Sequence, residues 1–428
     1  MHIGILELIT ILVILSAVFL YVNSRFMKLP ATIGLMVMAA GLSLIIVGVG
    51  TFAPDVYTFA KSIFDDYKFA DVLFNVMLSF MLFAGAMEVD LQKLGEEKWL
   101  VFILAIFGTF ISTFVVGVGM YFLLPIVGFP VDFIYCLLFG ALISPTDPIS
   151  VLAMLKDTTV SKNLQMQIAG ESLFNDGVGV VVFMTVLHVV QGGVENFSFG
   201  ATGMLFGQEV IGGILLGAII GFLGLKLLIY IDNEYTEIEI LITLAMVLGG
   251  TIVAKKLHVS APLAMVVMGL FLSHEGRKNE KAAGATGEFV HKFWGLMDSA
   301  MNSFLFILIG LQALVITWDI DFLFDSVLAI LVVLLARFIG VSIPISLTRT
   351  KKTFPKYTIR ILTWGGLRGG ISIALALSLA DTIGDKADPK IVNMMMVMTY
   401  AVVFFSIVAQ GLTVSKLFDK FESESKEG

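Results

Sequence analysis

Two carboxylates and an arginine stand in stretches otherwise suited to lipid. Glu171 and Asp176 lie in AGESLFNDGVGVVVF, and Arg337 lies in LLARFIGV. An ionised side chain at the centre of a bilayer helix costs about 2.5–3.5 kcal/mol on insertion scales, so each of these groups needs a partner or a cargo. Ser172 and Asp176 are four residues apart and share one helical face, while Glu171 and Asn175 form the neighbouring stripe. A buried arginine without an acid is heavily penalised, which pairs Arg337 with Glu171. Asp176 is left to meet Asp147.

Asp147 belongs to FGALISPTDPISVLAML, where Pro145 and Pro148 bracket Thr146 and Asp147. A proline inside a helix removes a hydrogen bond and clashes with the preceding turn. Two of them three residues apart are expected to unwind the backbone and free the carbonyls around Thr146. A second break is expected in TWGGLRGGISIALAL, where Gly365, Gly366, Gly369 and Gly370 surround Arg368. Glycines weaken a helix and permit extended or left-handed backbone. Asp147, Asp176, Ser172 and the carbonyls near Thr146 are hard oxygen donors, suited to Na⁺ or Li⁺ and not to a soft metal. A carboxylate at the bilayer midplane must hold a cation or a proton. Alternate occupancy of one site, opened in turn to each side, is an exchange mechanism. A polar network that merely fixes helix packing would use the same residues, but it does not explain why acids and breaks converge at one depth.

The elements that position these groups follow from composition. Of 428 residues, 58% are hydrophobic and 14% charged, with mean hydropathy +0.96. A soluble domain carries roughly a quarter charged residues, so a cytosolic enzyme, a disordered chain and a disulfide scaffold are excluded. Cys136 is the single cysteine, the five histidines are scattered, and the net charge of −7 argues against a nucleic-acid partner. Apolar windows fall at 4–22, 30–50, 71–89, 99–125, 132–156, 165–190, 207–231, 237–254, 260–274, 293–317, 322–348, 357–381 and 391–416. The chain therefore reads as an all-α, multi-pass membrane protein of about thirteen helices of about 20 residues each. The first window lacks a cleavage site and reads as a span. With the C-terminus inside, 19 of the 27 Lys and Arg residues fall on the cytoplasmic side and six outside, with Arg337 and Arg368 within spans. Basic residues resist translocation, so the N-terminus is expected outside. Lys255 and Lys256 are the exception. The connections at 51–70 and 275–292 read as solvated loops, and the tail at 417–428 as a short, frayed cytoplasmic end.

The breaks fall in the fifth and twelfth windows. An odd offset of seven makes the two spans run in opposite directions, which is the pattern of an inverted-repeat secondary transporter with its site near the midplane.

The stretches SPTDPISV at 144–151, GESLFNDG at 170–177, ARFIGV around Arg337, NSFLFILIG at 302–310 and TWGGLRGG at 363–370 resemble the monovalent cation/proton antiporters of the NhaP and eukaryotic sodium/proton exchanger branch. They occur in the family's order across nearly the whole chain. The resemblance implies an NhaA-like antiporter fold, with thirteen spans and crossing broken helices. It implies Asp176 as the carboxylate that exchanges cation for proton, with Asp147, Ser172 and Thr146 completing the Na⁺ shell. Glu171, Arg337 and Asn175 would support them, and Arg368 would sit at the helix crossing. It also implies a homodimer in the cell membrane, in which spans 4–6 and 11–13 form a transporting core against a scaffold of spans 1–3 and 7–10. An Asn-Asp pair, here Asn175-Asp176, marks the family's electroneutral branch, so one cation for one proton is expected. No cofactor is implied beyond transported Na⁺ or Li⁺ and H⁺, and no catalytic residue.

A potassium/proton antiporter is the alternative, because cavity size and ligand number set Na⁺ against K⁺. A cation channel would need a pore ring from several subunits, and no filter sequence stands here; a non-transport membrane sensor is more remote still. A hydrolase using Ser172 would need a nearby base, which this stretch lacks. Asp298 and Asn302 share a face in the tenth window and could line an ion funnel, although an interfacial helix start explains Asp298 as well.

Overall fold

The computed structural model describes residues 5–65, 76–89, 91–147, 151, 162–193, 197–231, 236–278, 288–316, 321–348, 357–383 and 387–427. All regular secondary structure among them is helical. The helices are α1 (Ile5–Val22), α2 (Ala31–Gly50), α3 (Pro54–Asp65), α4 (Leu78–Glu88), α5 (Leu91–Ile103), α6 (Thr109–Leu123), α7 (Phe133–Ile143), α8 (Lys162–Gly192) and α9 (Phe199–Ile231). They continue with α10 (Thr236–Lys256), α11 (Ala261–Lys278), α12 (Glu288–Leu311), α13 (Asp321–Thr348), α14 (Thr358–Trp364), α15 (Gly370–Ile383), α16 (Pro389–Phe405) and α17 (Gly411–Glu427). Nine helical stretches among the described residues are long and apolar enough to cross a membrane, and four shorter apolar helices occupy the other windows. Their apolar outer faces, such as Leu44, Ile211 and Leu331, are exposed as lipid requires. The chain is a multi-pass membrane protein.

Helix pairing repeats when each window is advanced by seven. α2 packs on α12, and the related pair α4 and α11 packs likewise. α7 packs on α8, as α15 does on α16, while α6 packs on its own counterpart α13. At that self-related contact a Cβ on Gly108 would lie 3.3 Å from the Gly340 carbonyl, and one on Gly340 would lie 3.0 Å from the Gly108 carbonyl. Small residues facing each other allow such close backbone approach in membranes.

Two connecting regions depart from the sequence expectation. Residues 54–65, within a stretch expected to be loop, form α3, whose Tyr57 hydroxyl donates to the Leu314 carbonyl at 3.3 Å. The tail does not fray: α17 runs to Glu427. Phe418 is fully buried, and the Phe421 ring stacks on Tyr357 with centroids 5.0 Å apart. An amphipathic helix with a core to cover retains its order where a bare charged tail would not.

Candidate ion-binding site

Both expected breaks are present and they meet. α7 ends at Ile143, and residues 144–147 are non-helical; α14 ends at Trp364, and helix resumes only at Gly370. The Asp147 N–H donates to the Leu367 carbonyl at 2.7 Å, so one unwound segment bonds to the other. Arg368 completes the crossing. Its Nη1 donates to the carbonyl of Ser144, and to that of Pro145 at 3.1 Å. A guanidinium thereby caps the carbonyl end of α7, where the helix dipole is negative. Pro148 lies outside the described residues.

The glycines of the second break act through space. None of residues 365–370 has a positive φ among the described residues, so left-handed backbone is not what they supply. A Cβ on Gly366 would strike the Arg337 guanidinium, and one on Gly369 would lie 2.6 Å from the Asp147 Cβ. Close approach by two charged side chains requires glycine at both places. Gly365 faces the buried Phe418 ring, 3.0 Å from where its Cβ would be.

α8 supplies the other wall. Asn175 clamps the first break, accepting from the Thr146 N–H at 3.1 Å and donating to the Thr146 Oγ1 at 2.7 Å. The Thr146 and Ser172 hydroxyls are 2.9 Å apart. On the neighbouring stripe, Glu171 receives both terminal nitrogens of Arg337, one of them at 2.8 Å. The Arg337 Nε and Nη2 also donate to the Leu362 carbonyl, at 3.2 and 3.0 Å. The expected ion pair is a bidentate, buried one that also ties α13 to α14.

Asp176 and Asp147 line one cavity of about 50 Å³ together with Thr146, Pro145, Gly369 and Leu305 of α12. Asp176 is 6% exposed. The cavity therefore holds two carboxylates and is also lined by the hydroxyl residues Thr146 and Ser372, glycines and apolar side chains. Ser172 is not among the lining residues; it reaches the cavity through Thr146. Its hydroxyl partner is another hydroxyl and not a base, so the arrangement offers no nucleophile activation. The chemistry it supports is oxygen coordination of a small hard cation, or protonation of an acid.

Residues with no motif complete the site. The Arg368 N–H donates to Ser406 Oγ at 2.9 Å, Ser406 donates to Gln410 Oε1 at 2.6 Å, and Gln410 Nε2 donates to the Trp364 carbonyl at 3.3 Å. Ser406–Gln410 is a single widened i→i+5 turn between α16 and α17, the kind of local unwinding common at functional sites. On α12, Asp298 and Asn302 are adjacent as expected, with Asn302 Nδ2 donating to the Asp298 carbonyl at 2.8 Å. Asp298 lies within electrostatic reach of Glu88 and Asp147.

A model of the transmembrane region of sodium/hydrogen exchangers matches residues 12–420. The chain belongs to the sodium/hydrogen exchanger family. Within it, the chain is 43% identical over 417 residues to the Na⁺/H⁺ antiporter NhaP of Pseudomonas aeruginosa, covering 96% of each chain. It is 29% identical over 405 residues to the Na⁺/H⁺ antiporter NhaH of Halobacillus dabanensis, with 93% of each covered. The solved structure of the sodium proton antiporter MjNhaP1 from Methanocaldococcus jannaschii superposes with a TM-score of 0.76, covering 97% of this chain and 98% of that one. At 20% identity that likeness speaks to the fold, and it agrees with the antiporter fold that the resemblance implies.

Proposed function

We propose that this exchanger-family protein moves Na⁺ or Li⁺ against H⁺ across the cell membrane as a secondary active antiporter. The observation that carries the reading is the meeting of Asp147 and Asp176 in one buried cavity at the crossing of two interrupted helices. Two ionised carboxylates repel in a low-dielectric site, so the pair is stable with a cation between them or with a proton on one of them. Asp176 is the group that exchanges. Asp147, Ser172 and Thr146 supply further oxygens, Asn175 holds the first break open, and the Glu171–Arg337 pair stays fixed and neutral as a unit. No cofactor enters the cycle.

One carboxylate turning over beside a neutral Asn175 favours one cation for one proton. Such exchange is indifferent to membrane potential, whereas each net charge moved would couple at about 2.3 kcal/mol per 100 mV. Alternating access comes from windows 4–6 and 11–13 moving as a core against windows 1–3 and 7–10, in a homodimer with the N-terminus outside. The Na⁺/H⁺ antiporter names of the relatives favour sodium; a potassium/proton antiporter remains the runner-up.

The test is proton flux in proteoliposomes holding a pH-sensitive dye, with Li⁺, Na⁺ or K⁺ added in turn. Flux with Li⁺ and Na⁺ that vanishes in Asp176→Asn is the expected result. Flux with K⁺ alone would transfer the assignment to the runner-up, and correctly inserted protein silent to all three would overturn antiport.

A further inference from the structure

Serine and threonine hydroxyls in these helices mostly donate back to a carbonyl one turn earlier. Thr109 does so to Ala105 at 2.6 Å, Ser326 to Phe322 at 2.8 Å and Thr399 to Met395 at 2.6 Å. On α15 itself, Ser378 donates to the Leu375 carbonyl at 2.8 Å and Thr382 to that of Ser378 at 2.7 Å. Such back-bonding is the default for a hydroxyl inside a helix.

Ser372 is the exception on α15. It is 1% exposed, and its Oγ has no hydrogen-bond partner among the described residues. The cause is local: the residues three and four positions before it are Gly369 and Arg368, which belong to the non-helical break, so no preceding helical turn accepts its proton. Leaving a buried hydroxyl unsatisfied is costly. This one lines the cavity that also holds Asp147, Asp176 and Thr146. The break therefore frees a hard oxygen donor at the cavity where the two carboxylates meet.

We propose that Ser372 is a further ligand of the transported cation, its hydroxyl oxygen coordinating the ion alongside Asp147 and Asp176. The inference rests on the antiport reading above and extends its ligand set to the second broken helix. A site drawing ligands from both interrupted spans has its ligand number and size fixed by their crossing. Ser372 thereby contributes to selection among alkali cations, with small Li⁺ and Na⁺ depending on it more than K⁺.

The experiment measures thermal stabilisation of the purified full-length protein by LiCl, NaCl or KCl against choline chloride, beside proteoliposome exchange, for wild type, Ser372→Ala, Ser372→Cys and Ser372→Thr. Loss of one oxygen ligand to a charged ion is expected to raise half-saturating Li⁺ and Na⁺ about tenfold in the Ala variant. The Cys variant keeps the volume but offers a soft donor, so it is expected to behave like Ala even where Ala folds poorly. The Thr variant is expected to restore both readouts. Half-saturation unchanged in Ala and Cys, or a lower maximal rate and lower cation-free stability alone, would show a structural role and overturn the assignment. Wild type that neither exchanges nor is stabilised would instead overturn the antiport reading, and this inference with it.

Discussion

The Asp147 N–H donates to the carbonyl of Leu367 at 2.7 Å, across two helices whose breaks lie more than 200 residues apart in the chain. Each unwound segment would otherwise leave polar backbone stranded at membrane depth, where an unsatisfied group costs several kcal/mol. Part of that need is met by the partner segment and part by Arg368, which donates to the Ser144 and Pro145 carbonyls. Each break thus satisfies part of the other's backbone, and the carboxylate of Asp147 is carried on backbone anchored from the opposite repeat.

Removal of the Arg368 side chain should accordingly unseat Asp147. Hydrogen bonds from a charged donor contribute about 1.5–3 kcal/mol each, so Arg368→Ala is expected to lower the melting temperature and weaken cation binding together. Arg368→Lys keeps a charge near the α7 carbonyl end and should retain part of both. Thermal melts with and without NaCl read the two effects. A variant that loses transport with wild-type stability and binding would contradict the capping role.

Asn175 and Thr146 form a two-bond clamp, at 3.1 and 2.7 Å. Asn175→Ala removes both bonds and strands the Thr146 N–H, an expected loss of about 1–3 kcal/mol. Thr146→Val keeps the backbone bond but removes the hydroxyl contacts to both Asn175 and Ser172, so its cost should be comparable. Because the residues share a bond, the double variant is expected to lose less than the two singles combined, a coupling of about 0.5 kcal/mol or more in a double-mutant cycle. Strict additivity would separate the two residues.

Glu171 and Arg337 are buried and bidentate, with Gly366 leaving room for the guanidinium. Breaking one side of such a pair costs about 3–5 kcal/mol, because the remaining charge is left alone. Glu171→Gln and Arg337→Ala are each expected to express poorly and melt early, and Gly366→Ala should resemble them by displacing Arg337. Replacing both charges with apolar residues of similar volume should recover stability over either single change. Fluorescence-detected melting in detergent checks all four.

Lipid makes some features of this protein legible and leaves others hidden. Glu171, Asp176 and Arg337 announce themselves because charge is rare in spans, and Pro145 announces the first break because its ring cannot continue a helix. Thirteen apolar windows are visible for the same reason. The contacts that knit the crossing carry no such mark: the Ser406 and Gln410 bonds to Arg368 and Trp364 run between distant helices, and serine and glutamine at those positions look like any polar residue in a span. The glycines of the second break could be located, but their purpose needed three dimensions, since room for Arg337 and Asp147 is a property of neighbours and not of spacing. The order of the tail was missed because its charges dominate the composition, whereas a few apolar side chains, Val414, Phe418 and Phe421, dock it.

Phe418 fills the space beside Gly365 at the start of the second break. Truncating a fully buried phenylalanine to alanine costs about 3–5 kcal/mol in soluble cores. Phe418→Ala is expected to lower stability by an amount of that order and to free α17, seen as proteolytic cleavage within residues 411–427. Phe418→Leu should be milder. Equal protease resistance in wild type and Phe418→Ala would mean that the ring does not hold the tail.

If a cation and a proton compete for one carboxylate, as proposed above, that competition sets the pH dependence. If Asp176 binds either a proton or a cation, acidification fills the site with protons and more cation is needed to displace them. Half-saturating Na⁺ should therefore rise as pH falls, approaching about tenfold per pH unit once the site is mostly protonated, and level off when it is mostly deprotonated. The maximal rate at saturating Na⁺ should decline on the alkaline side, because the return half-cycle needs a proton to load. Together these give a bell-shaped dependence at fixed Na⁺ whose acid limb moves to lower pH as Na⁺ is increased, while its alkaline limb stays in place. A proton that acted instead at a separate regulatory group would leave the acid limb where it is at every Na⁺ concentration, so the movement of that limb distinguishes direct competition from a remote switch. Potassium and valinomycin, used to clamp the membrane potential at different values, should leave the curve unchanged if one cation is exchanged for one proton, and a shift with potential would exclude that ratio.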